Sequence, residues 1–306
     1  MTALVTRPFD PSTDQAGVLA LCEEVFGLTA TPGMWRWKYV PPWTERFYCW
    51  VAVVDGRVVG YVGAVPLRGL VDGREVPWFQ IADAMVHPDH RLVHDWFEVG
   101  TRQLIEDLGR ARPEHLLYGF SDHRAFFWLK RLGLVDRIEH ARAVTARANG
   151  SSGAGRWSFH DWSWSEAVLE PLWSSCRSQV RAGLIRDRDY LAWRYGSHPV
   201  HDYRLLGVHD EGRPVGWVVL GDGPDGSGVP VIDLLLPDRD RAGALRALAG
   251  ELGSDVLAWL PGRLSAGLDD VEELKTNVYH FLHRSAAPTT YLRENLYYTM
   301  GDVDWW

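Results

Sequence analysis

Cysteine is scarce and scattered in this chain of 306 residues: Cys22, Cys49 and Cys176 lie far apart and form no CxxC pair. That spacing argues against a disulfide framework or a cysteine-built zinc site. Lysine is as scarce, with Lys38, Lys130 and Lys275 the whole set, and the formal charge is −8. The chain therefore lacks the basic face that a general nucleic-acid binder presents, and small molecules or proteins are the expected partners. No apolar run reaches the length of a membrane span, and the opening MTALVTRPFDPSTD has no hydrophobic signal core. The expectation is a cytoplasmic protein with no membrane association. Oligomeric state is not legible in the sequence.

What is present is an ordinary globular composition, 46% apolar and 24% charged, over a length that suits two domains. The two halves also repeat one another. Trp37-Lys38-Tyr39 matches Trp193-Arg194-Tyr195, Asp55-Gly56-Arg57 matches Glu211-Gly212-Arg213, and Val59-Gly60 matches Val215-Gly216, every pair 156 residues apart. Each block reads as strand, tight turn and strand, because a glycine in the turn supplies the positive φ a hairpin needs. A shared register without gaps makes duplication the better account. The small, polar stretch around Asn149 to Arg156 separates the copies, giving expected domains over residues 1–148 and 157–306 with a linker at 149–156.

Asp10, Pro11 and Gly27 bracket a helix as N-cap, first residue and terminator. Phe97, Leu104, Ile105 and Leu108 predict the apolar face of a second helix. HLLYGF reads as a strand, HRAFFWLKRLG as a helix closed by Gly133, VPVIDLLLP as a strand and RAGALRALAGEL as a helix. Each half is thus an α/β unit, with a mixed, mostly antiparallel sheet flanked by helices.

The order helix, DGRVVGYVG hairpin, DAMVHPDHR strand and loop, helix, then LLYGFSDHRAFFWLKRLGL resembles the GNAT superfamily of acyl-CoA-dependent N-acyltransferases, and two such units resemble its tandem-domain members. The most specific motif is Val86-His87-Pro88-Asp89-His90-Arg91. The resemblance implies acetyl-CoA or another acyl-CoA as co-substrate and direct attack by the amine of a small molecule. It implies that the strand at Asp83, Met85, Val86 and His87 pairs with the pantetheine arm. The loop Arg91, Leu92, Val93, His94, Asp95 and Trp96 would hold the pyrophosphate at a helix N-terminus. Against the family pattern, His94 and Trp96 stand where glycine or alanine is usual, and their rings are expected to crowd a diphosphate. Leu129 stands where a tyrosine often protonates the thiolate. The alternative is a GNAT-like scaffold that does not use CoA, with a non-transfer reaction or pure ligand binding in the same cleft.

Among candidate side chains, Asp83 sits in an otherwise apolar run and reads as a general base, a substrate anchor or a paired structural carboxylate. His123 and Asp122 are candidates for proton transfer, Asp122 equally an N-cap. Trp35, Trp37 and Tyr39 could floor an acceptor pocket or pack the core. His90 and His94 are four apart in a predicted loop, where that spacing fixes no common face, so no metal is expected.

Overall fold

The computed structural model describes residues 4–91, 95–148, 156–222 and 228–303. Two compact units divide the chain. The first comprises Met1–Arg68, Val76–Gly119 and His280–Ala286; the second comprises Gly69–Glu75, Phe120–Tyr279 and Ala287–Trp306.

In the first unit the elements run β1 (Val5–Pro8), α1 (Pro11–Phe26), α2 (Pro32–Tyr39), β2 (Tyr48–Val54), β3 (from Arg57), β4 (to Val86), α3 (Trp96–Ala111) and β5 (from Leu116). The strands lie in the order β1-β2-β3-β4-β5. Local chemistry sets the ends of α1. Asp10 accepts from Ser12 N at 2.9 Å, Pro11 opens the helix, and Gly27 at φ 69° returns its N–H to Glu23 O. An N-cap of this kind is worth roughly 1 kcal/mol. On α3 the buried stripe is Trp96, Leu104, Ile105 and Leu108, while Phe97 is only half-buried. The expected face was one position out at its first residue, because the sheet offers an indole-sized space there.

The second unit contains α4 (His123–Arg131), β6 (Val135–Ala146), β7 (Trp157–Asp161), α5 (Leu169–Cys176), β8 (Ala182–Leu184), α6 (Arg188–Leu191), β9 (Arg204–Asp210), β10 (Arg213–Leu220), β11 (Val229–Leu235), α7 (Arg241–Leu252), β12 (Val256–Trp259), most of β13 (from Asp270) and α8 (Thr289–Asn295). Its strand order is β13-β6-β12-β11-β10-β9-β7, and β8 pairs with Gly69–Val71 at the end of β3. The strand β6 precedes the repeat boundary in sequence but belongs to this unit, where it runs antiparallel to β12 from Ala143 to Ala146. The linker expected at 149–156 lies outside the described residues except for Arg156.

The repeat shows in backbone detail. Asp55 and Gly56 take φ of 50° and 77°; Glu211 and Gly212 take 48° and 78°. Positive φ at both central positions defines the turn type that matches strand twist. Each hairpin also has its register shift at the same place, Ala52↔Gly60 stepping to Val53↔Val58 and Val208↔Gly216 stepping to His209↔Pro214.

His198 in the second unit gives acid sensitivity a sign. Burial first, then Arg194 and His201, hold its pKa down at about 4 against an ordinary 6.5. An unfolded chain therefore binds the proton more readily between those values, so this contribution to stability is present above pH 6.5 and lost as pH falls toward 4. His198→Gln is expected to flatten the loss of urea midpoint over that window. An unchanged pH slope in the variant would refute the assignment.

Candidate functional site

Helix α2 begins at Thr31, whose hydroxyl accepts from Met34 N at 3.2 Å, with Pro32 as its first residue. Trp35, Lys38 and Tyr39 follow at positions i, i+3 and i+4, so their side chains share one face. That face is buried, at 3%, 1% and 0% exposure. Lys38 Nζ donates to both oxygens of Asp83, at 2.9 and 2.8 Å, and Tyr39 OH donates to Asp83 Oδ2 at 2.7 Å. Alongside, Trp35 Nε1 donates to Tyr61 OH at 3.3 Å, and Tyr61 OH to Cys49 Sγ at 3.1 Å. Burial pushes the Cys49 thiol up to about 12, despite the Tyr61 bond, so it is no nucleophile near neutrality. Trp35 also packs its ring on Phe9, Tyr39 and Phe47. Trp35 and Tyr39 are thus core side chains, while Trp37 is half-buried on another face of α2.

Asp83 lies within β4 (to Val86). Its φ is 49°, a left-handed value that only a few non-glycine residues among those described adopt. Ala82 and Met85, three apart, are both buried, at 6% and 1%. The parallel pairing of β4 with β5 is Trp78↔Leu116, Phe79↔Leu117 and Gln80↔Tyr118. Beyond Gln80, β4 continues through the kink to Val86. Its other edge still engages β3, with His87 N donating to Val59 O at 2.8 Å.

The loop after β4 is organised by His87. Its Nδ1 accepts from Asp89 N at 3.2 Å, and its Nε2 lies 3.0 Å from Glu24 Oε2 and 3.1 Å from Arg57 Nη2. Arg91 Nε donates to Val86 O at 3.2 Å, and the residue is exposed. Leu92, Val93 and His94 lie outside the described residues. Asp95 precedes α3, and Trp96 begins it.

The expected crowding by Trp96 is not what the structure has. The residue is 2% exposed. A Cβ on Gly60 of β3 would lie 2.1 Å from its Nε1, and one on Gly100 would lie 2.5 Å from its ring. The indole is turned inward onto the sheet, into space those two glycines leave.

Asp122 and His123 belong to the second unit. Asp122 Oδ1 accepts from Ala125 N at 3.0 Å and caps α4. His123 Nδ1 is 3.5 Å from Asn277 Nδ2, its ring 5.7 Å from that of His140. Leu129 is buried at 1%.

The second unit has a corresponding strand, β11, whose register against β10 shifts between Val231 and Asp233. Pairing of β11 with β12 is again three residues long, Val229↔Val256 to Val231↔Ala258. Asp233 then receives Tyr195 OH at 2.8 Å, repeating the bond of Tyr39 to Asp83. Here the chain's own segment Tyr297–Asp302 takes the place beyond the pairing. Thr299 Oγ1 donates to Asp233 Oδ1 at 2.9 Å, Tyr297 OH to Leu234 O, and Tyr298 OH to Leu260 O at 3.4 Å. Arg186 bridges Asp233 and Asp302, and Arg194 donates to Gly301 O and Val303 O.

Lys38, Tyr61 and Cys49 were not singled out by sequence reasoning. One signal was available: Lys38 and Arg194 are basic residues at matching places in a helical face otherwise made of aromatics.

Residues 10–106 match the family model described as an acetyltransferase (GNAT) domain. The matched stretch contains the kinked strand β4 and most of α3. Solved structures share the fold across 92% of this chain. A conserved protein of unknown function from Enterococcus faecalis, described as a probable N-acyltransferase, is 13% identical with a TM-score of 0.70 over 74% of its own length. A GCN5-related N-acetyltransferase from Kribbella flavida is 19% identical, with a TM-score of 0.67 over 71% of its length. The N-myristoyltransferase of Saccharomyces cerevisiae with bound myristoyl-CoA is 12% identical, with a TM-score of 0.56 over 83% of its length. At these identities the likeness is one of fold. No curated protein sequence matches the chain.

Proposed function

We propose that this protein is an N-acyltransferase that moves an acyl group, acetyl in the simplest case, from acyl-CoA to the amine of a small molecule by direct attack. The observation that carries the reading is the early end of the β4–β5 pairing at Gln80↔Tyr118, with β4 kinked three residues later at Asp83. Backbone amides past that point suit strand-like pairing with the amides of a pantetheine arm. The N-terminus of α3 suits the pyrophosphate, through the N–H groups of its first turn and its dipole. The myristoyl-CoA in the fold relative from yeast supports an acyl-CoA as donor.

Chemically, the amine must arrive as the free base, in line with the thioester carbonyl, and N–H donors must meet the developing oxyanion. Both Asp83 oxygens already accept hydrogen bonds from Lys38 and Tyr39. That favours a positioning role for this carboxylate over the proton-accepting one.

Acetyl-CoA is expected to stabilise the protein by about 2.7 kcal/mol at a concentration 100 times its Kd, read as a thermal shift. Calorimetry is expected to give one equivalent per chain, since Tyr297–Asp302 occupies the corresponding place in the second unit. A thiol-release assay across amino acids, polyamines and amino sugars then identifies the acceptor. No shift at millimolar acetyl-CoA would overturn the reading in favour of a scaffold that does not use CoA, for which the loop without glycine is the motivating feature.

A further inference from the structure

We propose that Lys38 is a positioning residue for the acyl donor: its buried ion pair with Asp83 locks the left-handed kink that parts β4 from β5. The inference rests on the acyltransferase reading and assigns a role to a side chain that never touches the reacting atoms.

Three observations lead to it. Asp83 holds φ of 49° in the middle of a strand, a conformation that L-residues adopt only at an energetic penalty and keep only where the surroundings enforce it. Lys38 is 1% exposed and reaches both Asp83 oxygens, so moving the aspartate to an ordinary strand conformation would pull its carboxylate away from a buried ammonium. Lys38 and Tyr39 come from one helical face, pinned in turn by Trp35 through Tyr61, and that face cannot follow the strand if it straightens. The kink follows the last parallel pair by three residues, so a straight β4 would let the ladder continue and consume the amides proposed to hold the donor.

Charge and backbone conformation are separated by two double variants, Lys38→Met with Asp83→Gly and Lys38→Met with Asp83→Val. Both remove the same two charges, avoiding the unpaired buried group that either single change would leave. Glycine takes positive φ freely, whereas a β-branched residue disfavours it. Acetyl-CoA is expected to bind the glycine double variant about tenfold more tightly than the valine one, the difference being in KM rather than kcat. Equal affinities would overturn the proposal. So would a glycine double variant that binds normally and loses about 100-fold in kcat, which would make Asp83 the base. If the wild-type protein binds no acetyl-CoA, the functional reading fails by itself. Amide exchange over Ile81–Val86 in the same variants then decides the lock: wild-type-like protection with glycine and altered protection with valine supports it, and equal protection refutes it.

Discussion

Replacing Arg186 with methionine is expected to destabilise the second unit by about 3–5 kcal/mol, the magnitude found when one partner is removed from a buried ionic network. Arg186 is fully buried and spans two carboxylates, with Nε 3.0 Å from Asp233 Oδ1 and Nη2 2.5 Å from Asp302 Oδ2. It also donates to Thr299 Oγ1 at 3.3 Å and to Leu184 O at 3.3 Å, and its guanidinium lies 4.9 Å from the centre of the Tyr297 ring. Burial, and then Asp233, already raise Asp302 to about 6 against the pull of Arg186. Without Arg186 two carboxylates would stay in a dry site with no guanidinium between them, and Asp302 would be driven further toward protonation. Arg186→Lys keeps the charge but not the planar fork, so an intermediate loss is expected. Urea denaturation checks this directly: a methionine variant within about 0.5 kcal/mol of wild type would show that the network is dispensable.

Truncating Trp96 to alanine is expected to cost about 3–5 kcal/mol as well, for a packing reason rather than an electrostatic one. The indole occupies space left by Gly60 and Gly100, and neither glycine can expand to refill it without a side chain the backbone there does not carry. A cavity would persist, lined by the sheet and the first turns of α3. Since the ring faces the core and not the loop mouth, removing it is not expected to tighten acetyl-CoA. Calorimetry on the folded variant separates the two ideas. A gain in affinity would restore the view that Trp96 obstructs the donor, and an unchanged stability would refute the packing account. Gly60→Val tests the same contact from the other side, and overpacking of about 1–3 kcal/mol is expected.

Local features were legible because neighbouring residues alone encode them. The Asp10–Pro11 start and Gly27 stop of α1, the turns at Asp55-Gly56 and Glu211-Gly212, and the Asp122 cap of α4 all depend on residues within a turn of one another. The repeat was legible for a different reason. A shared register survives divergence when the same hairpin, with its register shift at the same pair, must be built twice. The polar centre of the first unit was not legible. Lys38 and Asp83 are 45 residues apart, and nothing local distinguishes a carboxylate awaiting a proton from one already held by an ammonium. The sequence left those readings of Asp83 open together, and only the distances separate them.

The direction of Trp96 shows the same boundary. Its place at the head of a helix follows from periodicity, but whether its ring meets solvent or core depends on a glycine 36 positions earlier on another strand. By itself the sequence determined the two-fold repeat, the α/β class and the helix ends, since propensity, capping and alternation act over a few residues. Tertiary structure alone decided which charges are paired, that β11 of the second unit is covered by the chain's own Tyr297–Asp302, and which way the aromatic rings turn. Those outcomes are set by burial and by contacts between distant segments, where desolvation and shape override local preference.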